Sequence, residues 1–410
     1  MVMADLRVTP THSLLELDQL LAESVADCQR REASAFDARS APRANGIVLF
    51  GAGRLGRRTL SGLRHVGIEP LAFADNAESL WGTTIDGVAV LSPAEAAHRV
   101  GGSATFVVTI WRAGGTHRFE HSRRQLSRLG CKQVVPMMVL GWKYPQAMLP
   151  HYCVDLPHHV LSHASGVRRA YHLLSDQRSR AEYVAQLRFR LLADLDALPH
   201  PDPEPQYLAS NIYAPDAREV IVDGGAFDGD TLRSVVDAGY AFEEYIALEP
   251  DVANLAALER CIGTLPEPIR ARVVALPVAA FAERTRMRIE QSGSASAMLV
   301  PATGPGLEGD VECAPLDEIC GERRVTFVKL DIEGAEPDAL RGARQVIARD
   351  RPLIAMCVYH RQDHLWTLPL LLDSIVRDYR YYLRPYNEEG WDLVCYAVPN
   401  ERAFAENSAR

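Results

Sequence analysis

The sequence lacks an apolar run long enough to cross a membrane, and Asp5 and Glu16 interrupt the region where a secretory signal needs an apolar core. It also lacks a basic excess, because 44 Lys and Arg residues stand against 53 Asp and Glu residues, a net charge of −9. That balance argues against nucleic acid or an anionic membrane as a partner. We therefore expect a cytoplasmic protein that acts on a small or neutral substrate.

Paired cysteine motifs are absent as well. Eight cysteines are scattered over 410 residues without a CxxC pair and without clustering near histidine. This pattern argues against a zinc site and against a disulfide framework, so we expect reduced thiols inside the protein. The length is sufficient for two or three domains with complete cores.

The stretch Glu219–Leu232 (EVIVDGGAFDGDTL) organises the C-terminal half of the chain. Its apolar residues Val220–Val222 predict a buried strand, and its three glycines let the following turn approach a ligand closely. Three aspartates, at 223, 228 and 230, crowd the same turn. Since a pyrophosphate prefers amide donors and cations, this charge favours a cationic or hydroxyl-rich ligand.

A second acidic residue follows at the position expected in a doubly wound sheet. Glu249 ends the apolar run Tyr245–Leu248, where such folds place an acid that accepts hydrogen bonds from ribose hydroxyls. Further apolar runs predict the remaining strands at Arg272–Leu276, Val325–Leu330, Leu353–Val358, Tyr381–Leu383 and Leu393–Val398. A helix is expected at Thr367–Tyr379, and Ser292–Ser296 predicts a loop that either covers a ligand or only connects strands.

Four ordered blocks, VDGGAFDGDT, ALEPD, FVKLDIEGAE and LIAMCVYH, resemble the FkbM-type family of S-adenosylmethionine-dependent methyltransferases. The resemblance covers about residues 207–398. It implies a seven-stranded α/β sheet whose last strand pair is antiparallel, with S-adenosylmethionine as cofactor. The cofactor-binding residues it implies are Asp223, Gly224, Gly225, Ala226, Gly229, Thr231, Glu249, Pro250 and the upstream aromatic Tyr207. It also implies methylation of a sugar, glycan or secondary-metabolite hydroxyl.

Methyl transfer to a hydroxyl needs a base or a metal ion that removes or polarises the proton. His360, after the fifth strand of the C-terminal half, is the best base by residue type, and Asp331 and Glu333 complete the predicted catalytic set. Asp331, Glu333 and Glu336 either bind a divalent cation or orient His360 or a substrate hydroxyl, and Glu336 can instead cap the following helix. Arg384 either binds an acidic acceptor group or pairs with these carboxylates. The sequence leaves open whether a divalent metal takes part.

The N-terminal half carries its own glycine motif. Gly51, Gly53 and Gly56 follow the predicted strand Gly46–Phe50, and Asp75 comes after them at about the 20-residue spacing of dinucleotide-binding folds. Arg54, Arg57 and Arg58 surround this loop and suit a phosphate, so NAD or another nucleotide is one interpretation. A Rossmann-like scaffold without a cofactor is the other.

Composition shifts divide the chain into four parts. We predict an N-terminal helix at 1–36 that starts with a capping box at Ser13 and Glu16, a Rossmann-like domain at 37–145, a helical connector at 146–206 and a methyltransferase domain at 207–410. The connector ends in the proline-rich joint 199–205. The rival functions are an NAD(P)-linked oxidoreductase that uses the N-terminal loop and a non-catalytic nucleotide-binding scaffold. The sequence leaves open whether the protein forms homo-oligomers.

Overall fold

A computed structural model describes residues 10–40, 46–216, 218–290, 298–301 and 310–404. Within these ranges no helix is both long and apolar enough to span a bilayer. Residues up to 206 are called the N-terminal half below, and residues from 207 the C-terminal half. The division into four predicted domains stays a prediction, whereas the α/β class with two large sheets is confirmed.

The N-terminal half begins with two helices, α1 (Pro10–Leu20) and α2 (Val25–Arg39). The prediction of a single helix capped at Ser13 is wrong, because Ser13 lies inside α1 and is buried. Ser24 caps the second helix instead, where its side chain accepts a hydrogen bond from the Asp27 amide. A strong cap at Ser24 starts a new helix within the apolar repeat that predicted one continuous helix.

The first sheet has six strands in the order β3-β4-β2-β1-β5-β6 and is parallel except for the pair β3 and β4. The strands are β1 (Ile47–Phe50), β2 (Ala72–Ala74), β3 (Thr84–Ile85), β4 (Val88–Leu91), β5 (Thr105–Val108) and β6 (Gln133–Pro136). The helices are α3 (Arg54–His65), α4 (Pro93–Val100), α5 (Phe119–Arg128), α6 (Met137–Lys143) and α7 (Pro145–Met148). The apolar runs of β1 and β5 are buried throughout, as expected for central parallel strands.

The predicted helical connector contains α8 (Pro157–Ser162), α9 (Ala164–Leu173) and α10 (Gln177–Leu192). Most of its buried apolar residues join the core of the C-terminal sheet, and Phe189, Leu195 and Leu198 join that of the first sheet. The connector therefore packs on both sheets.

The second sheet has seven strands in the order β16-β17-β15-β14-β7-β8-β9, and β17 is antiparallel to both of its neighbours. These strands are β7 (Glu219–Gly224), β8 (Phe242–Leu248), β9 (Val273–Leu276), β14 (Phe327–Leu330), β15 (Leu353–Cys357), β16 (Tyr379–Pro385) and β17 (Leu393–Pro399). The seven predicted strands and the antiparallel last pair are therefore confirmed.

A smaller four-stranded sheet stands beside it, formed by β10 (Val278–Ala280), β11 (Thr285–Glu290), β12 (Met298–Pro301) and β13 (Asp310–Ala314). The predicted loop Ser292–Ser296 lies outside the described residues. The helices of this half are α11 (Asp230–Asp237), α12 (Val252–Thr264), α13 (Glu267–Arg270), α14 (Leu316–Cys320), α15 (Glu336–Arg341), α16 (Arg344–Asp350) and α17 (His364–Ile375). Helix α17 begins and ends earlier than predicted, because Tyr379 already belongs to β16.

The two halves meet where the segment after β5 contacts the connection between β16 and β17. The indole Nε1 of Trp111 donates to the carbonyl of Glu389 at 3.0 Å, and Arg118 pairs with Glu388 at 2.7 Å. The amide of Phe119 donates to the Glu389 carboxylate. These contacts bring the N-terminal half to the carboxyl edge of the second sheet.

Candidate active site

A cavity of about 310 Å³ opens at the carboxyl ends of β7, β8, β14 and β15. This position is the switch point of the second sheet, because β8 and β9 lie on one side of β7 and the later strands β14 and β15 lie on the other side. Open α/β folds bind ligands at such a point. Seven predicted site residues line it: Tyr207, Gly225, Thr231, Glu249, Pro250, Asp331 and Glu333. Five others do not belong to its lining: Asp223, Gly224, Ala226, Gly229 and His360.

The glycines of the turn after β7 are explained by packing. Gly225 has φ +78°, and a Cβ atom there would lie 1.9 Å from the carbonyl oxygen of Asp331. Gly229 has φ +87°, and its Cβ would lie 2.9 Å from Cys261 Sγ. The turn therefore lies directly against the end of β14 and against α12, so both positions require glycine for backbone conformation and close approach.

Asp223 is fully buried and does not face the cavity as predicted. Its Oδ1 lies 2.8 Å from Lys329 Nζ, and its Oδ2 accepts a hydrogen bond from the Tyr245 hydroxyl at 2.6 Å. Asp228 pairs near the surface with Arg233 at 2.8 Å. Two of the three aspartates of this turn therefore have cationic partners, and Asp230 is the one that lines the cavity.

Lys329 on β14 was missed by the sequence analysis. Besides Asp223, its ammonium donates to the carbonyls of Gly224 at 3.2 Å and Gly225 at 2.7 Å, so three acceptors occupy its three protons. Burial alone would lower the pKa of Lys329, but the charges of Asp223 and Asp331 raise it. Lys329 stays charged and holds the glycine turn in place.

Glu249 lies where the sequence predicts, at the end of β8 and facing the cavity. Its Oε2 accepts the amide of Phe227 in the glycine turn at 2.9 Å, and its Oε1 accepts the amide of Asp251 at 2.9 Å. Burial raises the pKa of Glu249 to about 7. The carboxylate is thus fixed in orientation, and its remaining lone pairs are available to hydroxyl donors of a ligand.

Asp331 and Tyr207 contact each other in the cavity lining. The Tyr207 hydroxyl donates to Asp331 Oδ2 at 2.8 Å, and the Lys329 ammonium lies 5.5 Å from the centre of the Tyr207 ring. Burial raises the pKa of Asp331, but His360, Lys329 and Tyr207 together lower it well below its usual range. Asp331 is therefore an anion over the whole working pH range.

His360 is buried, with 1% of its side chain exposed, and carboxylates surround both ring nitrogens. Nδ1 lies 2.7 Å from Glu336 Oε1, whereas Nε2 lies 3.2 Å from Asp331 Oδ1 and 3.6 Å from Glu333 Oε1. Burial lowers the pKa of His360, but these carboxylates raise it well above its usual value. A protonated, enclosed imidazolium does not fit the predicted role of a base that contacts the acceptor.

Glu333 has the properties that the sequence analysis sought in His360. It lines the cavity, and its Oε2 is buried without a hydrogen-bond partner among the described residues. Burial raises its pKa. Its backbone has φ +53°, in the left-handed region that residues other than glycine rarely adopt. Other cavity residues share this strain: Tyr152, Tyr207, Phe227 and Asp392. Such strain concentrates at functional sites.

Two further predictions concern residues outside the cavity lining. Arg384 is buried and pairs with Asp176 at 2.6 Å, a carboxylate outside the predicted set of Asp331, Glu333 and Glu336. Glu336 is fully buried, where its Oε1 accepts a hydrogen bond from the Ile332 amide at 3.0 Å and its Oε2 lies 3.3 Å from His364 Nδ1.

No group of three or more metal-ligating side chains with suitable geometry occurs in the described ranges, so the structure leaves the metal question where the sequence left it.

The glycine loop of the N-terminal half donates hydrogen bonds to an acidic side chain in the same pattern as the loop near Glu249. Asp75 Oδ2 accepts the amide of Ala52 at 2.7 Å, and its Oδ1 accepts the amide of Ala77 at 2.8 Å. A Cβ atom at Gly56 would lie 2.0 Å from the Gly51 carbonyl, whereas one at Gly53 would meet nothing within 4 Å. Gly56 therefore serves helix packing, and Gly53 leaves open space beside the loop.

Comparison with known families decides the class of the C-terminal sheet. Residues 223–383 match the model of the methyltransferase FkbM domain. The C-terminal half belongs to the FkbM methyltransferase family. This FkbM domain contains Asp223, Glu249, Asp331, Glu333 and His360, whereas the matched range excludes Tyr207 before it and the cavity residues Trp391 and Asp392 after it.

One solved structure shares the fold of the FkbM domain and of the N-terminal half. The crystal structure of the methyltransferase FkbM from Methylobacillus flagellatus KT is 23% identical, with a TM-score of 0.75 over 94% of this chain and 100% of that chain. A methyltransferase from Geobacter sulfurreducens is 12% identical over 63% of this chain and 94% of that chain, with a TM-score of only 0.26. The structure of LepI in complex with SAM is 13% identical over 96% of this chain and 92% of that chain, with a TM-score of only 0.28. No curated protein sequence matches the chain.

Proposed function

We propose that the cavity binds S-adenosylmethionine and that the protein transfers its methyl group to a hydroxyl oxygen of the acceptor. The observation that carries this proposal is Glu249, a buried carboxylate oriented by two backbone amides at the end of β8. Two adjacent ribose hydroxyls can donate to such a carboxylate. The FkbM family of the surrounding domain supports the choice of an adenosyl ligand over another ribonucleoside.

The charges around the cavity favour a cationic donor. Its lining contains five acidic side chains, Asp230, Glu249, Asp331, Glu333 and Asp392, and the described lining holds a single basic one, Lys329. Because Lys329 already has three acceptors, it has no free proton for a diphosphate. A sulfonium and an ammonium gain from this negative surrounding, whereas a dinucleotide is repelled.

When bound, S-adenosylmethionine supplies an electrophilic methyl group on a sulfonium. The acceptor hydroxyl must approach in line while a base takes its proton. Glu333 is the candidate base, since its Oε2 is unpaired, it faces the cavity and burial raises its pKa. Asp331 and His360 are positioning residues, because His360 holds both carboxylates in a fixed arrangement and balances their charge.

The acceptor in this proposal is a small molecule or a glycan that presents the hydroxyl of a sugar or of a secondary metabolite. The acidic lining favours an acceptor without negative charge, and the negative charge of the whole chain again disfavours nucleic acid. The expectation of a cytoplasmic protein belongs to the same proposal.

Isothermal titration with S-adenosylhomocysteine tests the donor site directly. We expect the wild type to bind S-adenosylhomocysteine, Glu249→Ala to bind it much more weakly, and Asp75→Ala to bind it with unchanged affinity. Transfer of a labelled methyl group to a panel of sugars and polyketide alcohols then tests oxygen methylation. Absence of S-adenosylhomocysteine binding at saturating concentration would refute the proposal, and so would transfer only to nitrogen or carbon.

A nucleotide at the N-terminal loop is the second candidate. It is favoured by Asp75, which contacts its glycine loop as Glu249 does, and by the open space at Gly53. Titration with NAD and with ADP-ribose tests it, and Asp75→Ala should abolish binding while leaving S-adenosylhomocysteine binding intact. Lack of binding by both ligands would favour a scaffold role for this half.

A further inference from the structure

One end of the cavity is bounded by aromatic rings from both halves of the chain. Tyr152 belongs to the N-terminal half, whereas Tyr359 and Trp391 follow β15 and precede β17. The ring centres of Tyr152 and Trp391 are 4.6 Å apart with edge-to-face geometry, and those of Tyr152 and Tyr359 are 6.4 Å apart and nearly parallel. These three side chains are called the aromatic wall below.

The aromatic wall lies away from the proposed donor-ribose position. Glu249 ends β8, and the wall begins after β15, three strands further along the same sheet edge. At the usual spacing between strands this separation is about 14 Å. Glu333 and Asp331, which follow β14, lie between these two ends. The wall is therefore on the far side of the candidate base, where an acceptor must enter.

Two observations indicate that the wall is built for a ligand. Tyr152 has φ +50° and is held in this strained conformation by the bridge between His151 and Val154. Trp391 is 7% exposed and lines the cavity, and its indole N–H has no hydrogen-bond partner among the described residues. An unpaired buried donor at a cavity wall is costly unless a ligand or water accepts from it.

Charge restricts the ligand further. Asp392 lies beside Tyr359 in the cavity lining. Burial, and to a smaller extent the charge of Asp331, raises the pKa of Asp392 to about 6. Glu333 and Asp331 add negative charge on the other side, and the cation Lys329 is already neutralised by Asp223. A carboxylate or phosphate on the acceptor would therefore meet repulsion with little water to screen it.

We infer that Tyr152, Tyr359 and Trp391 form the acceptor subsite, and that Tyr152 lets the N-terminal half determine which acceptor the methyltransferase accepts. This inference rests on the proposed function. The ligand is an uncharged ring with an apolar face and hydroxyl groups at its edge, because such faces pack on aromatic rings while Glu333 and Asp392 accept from the hydroxyls. The N-terminal half thus completes the site without supplying a reacting group.

The test uses the full chain saturated with S-adenosylhomocysteine and two matched probes, phenyl β-D-glucopyranoside and phenyl β-D-glucuronide. Calorimetric titration should give at least tenfold tighter binding of the neutral glycoside. Tyr152→Ala should weaken that binding about tenfold, as expected for the loss of one packed ring, whereas Tyr152→Phe should retain it. Tyr144→Ala removes a half-buried tyrosine of the same half outside the cavity and should change nothing.

Affinity for S-adenosylhomocysteine separates this inference from the proposed function. If the wild type does not bind S-adenosylhomocysteine, the proposed function fails first. If it does, then equal affinity of the two probes, or no detectable binding of the neutral one at millimolar concentration, overturns the inference. Loss of S-adenosylhomocysteine affinity in Tyr152→Ala would also overturn it, because Tyr152 would then shape the donor end.

Discussion

The proposed ribose contact makes a specific prediction about pH. Burial raises the pKa of Glu249 to about 7, so its carboxyl is about half protonated in the free protein at neutral pH. Hydroxyl donors of a ribose need the ionised form. Between pH 8 and pH 6 the ionised fraction falls from about nine-tenths to about one-tenth, so affinity for S-adenosylhomocysteine should fall about tenfold, or roughly 1.4 kcal/mol.

The sign follows from linkage between protonation and binding. A ligand that binds the carboxylate lowers the pKa of Glu249, so binding releases a proton below pH 7 and not above pH 8. Calorimetry in two buffers with different ionisation enthalpies measures this release. After burial, which raises the pKa of Glu249, the amides of Asp251 and Phe227 lower it by hydrogen bonding, and the charges of Asp251 and Lys329 then raise and lower it, respectively. Lys329 stays charged across this range, because its own pKa is raised.

Two variants serve as controls. Glu249→Gln cannot titrate, so whatever its absolute affinity, its pH profile should be flat between 6 and 8. Glu259→Gln changes an exposed glutamate on α12 and should keep the wild-type profile. A flat profile in the wild type, or an unchanged slope in Glu249→Gln, would refute the assignment of Glu249 to the ligand.

Three other outcomes are expected. Glu333→Gln should lower turnover about 10²- to 10⁴-fold at unchanged S-adenosylhomocysteine affinity, and full activity would remove Glu333 from the mechanism. Lys329→Met leaves Asp223 buried with one hydrogen bond and should lower the free energy of unfolding in urea by about 3–5 kcal/mol. The double variant Asp223→Asn/Lys329→Met should lose less, and equal losses in the two variants would contradict a stabilising pair between Asp223 and Lys329. His360→Asn should destabilise most below pH 6.5, with a difference that shrinks as pH rises towards the raised native pKa of His360. A pH-independent difference would mean a neutral His360.

The sheet of the C-terminal half could be predicted because its strands are long apolar runs that end in acidic motifs. Glu249 was predicted correctly in position for the same reason, since strand order and strand end fix where its side chain lies. The role of Asp223 could not be predicted in this way. It depends on Lys329, which is distant in sequence and becomes its neighbour only when β14 pairs with β7. An alternation signal was nevertheless present, because Lys329 and Asp331 lie on the same face of one extended segment.

His360 shows why residue type alone does not assign a base. Histidine titrates near neutrality in water, and this property suggested it for proton transfer. In the fold, Glu336 on one side and Asp331 with Glu333 on the other turn it into a buried cation. The sequence contains all three carboxylates within six residues, but whether they face a histidine or a ligand depends on the turn at Glu333, whose positive φ no sequence pattern predicted.

The two halves of the chain share one hydrogen-bond arrangement at an acidic residue, but its electrostatic surroundings differ. Asp75 and Glu249 each accept one amide from a glycine loop and one from two residues further along. The loop near Glu249 opens into a cavity with five carboxylates. The loop near Asp75 is flanked by arginines, of which Arg58 already donates to the carbonyls of Met148 and Pro150. The same hydrogen-bond arrangement therefore lies beside negative charge in the C-terminal half and beside positive charge in the N-terminal half, so the two loops suit ligands of different charge.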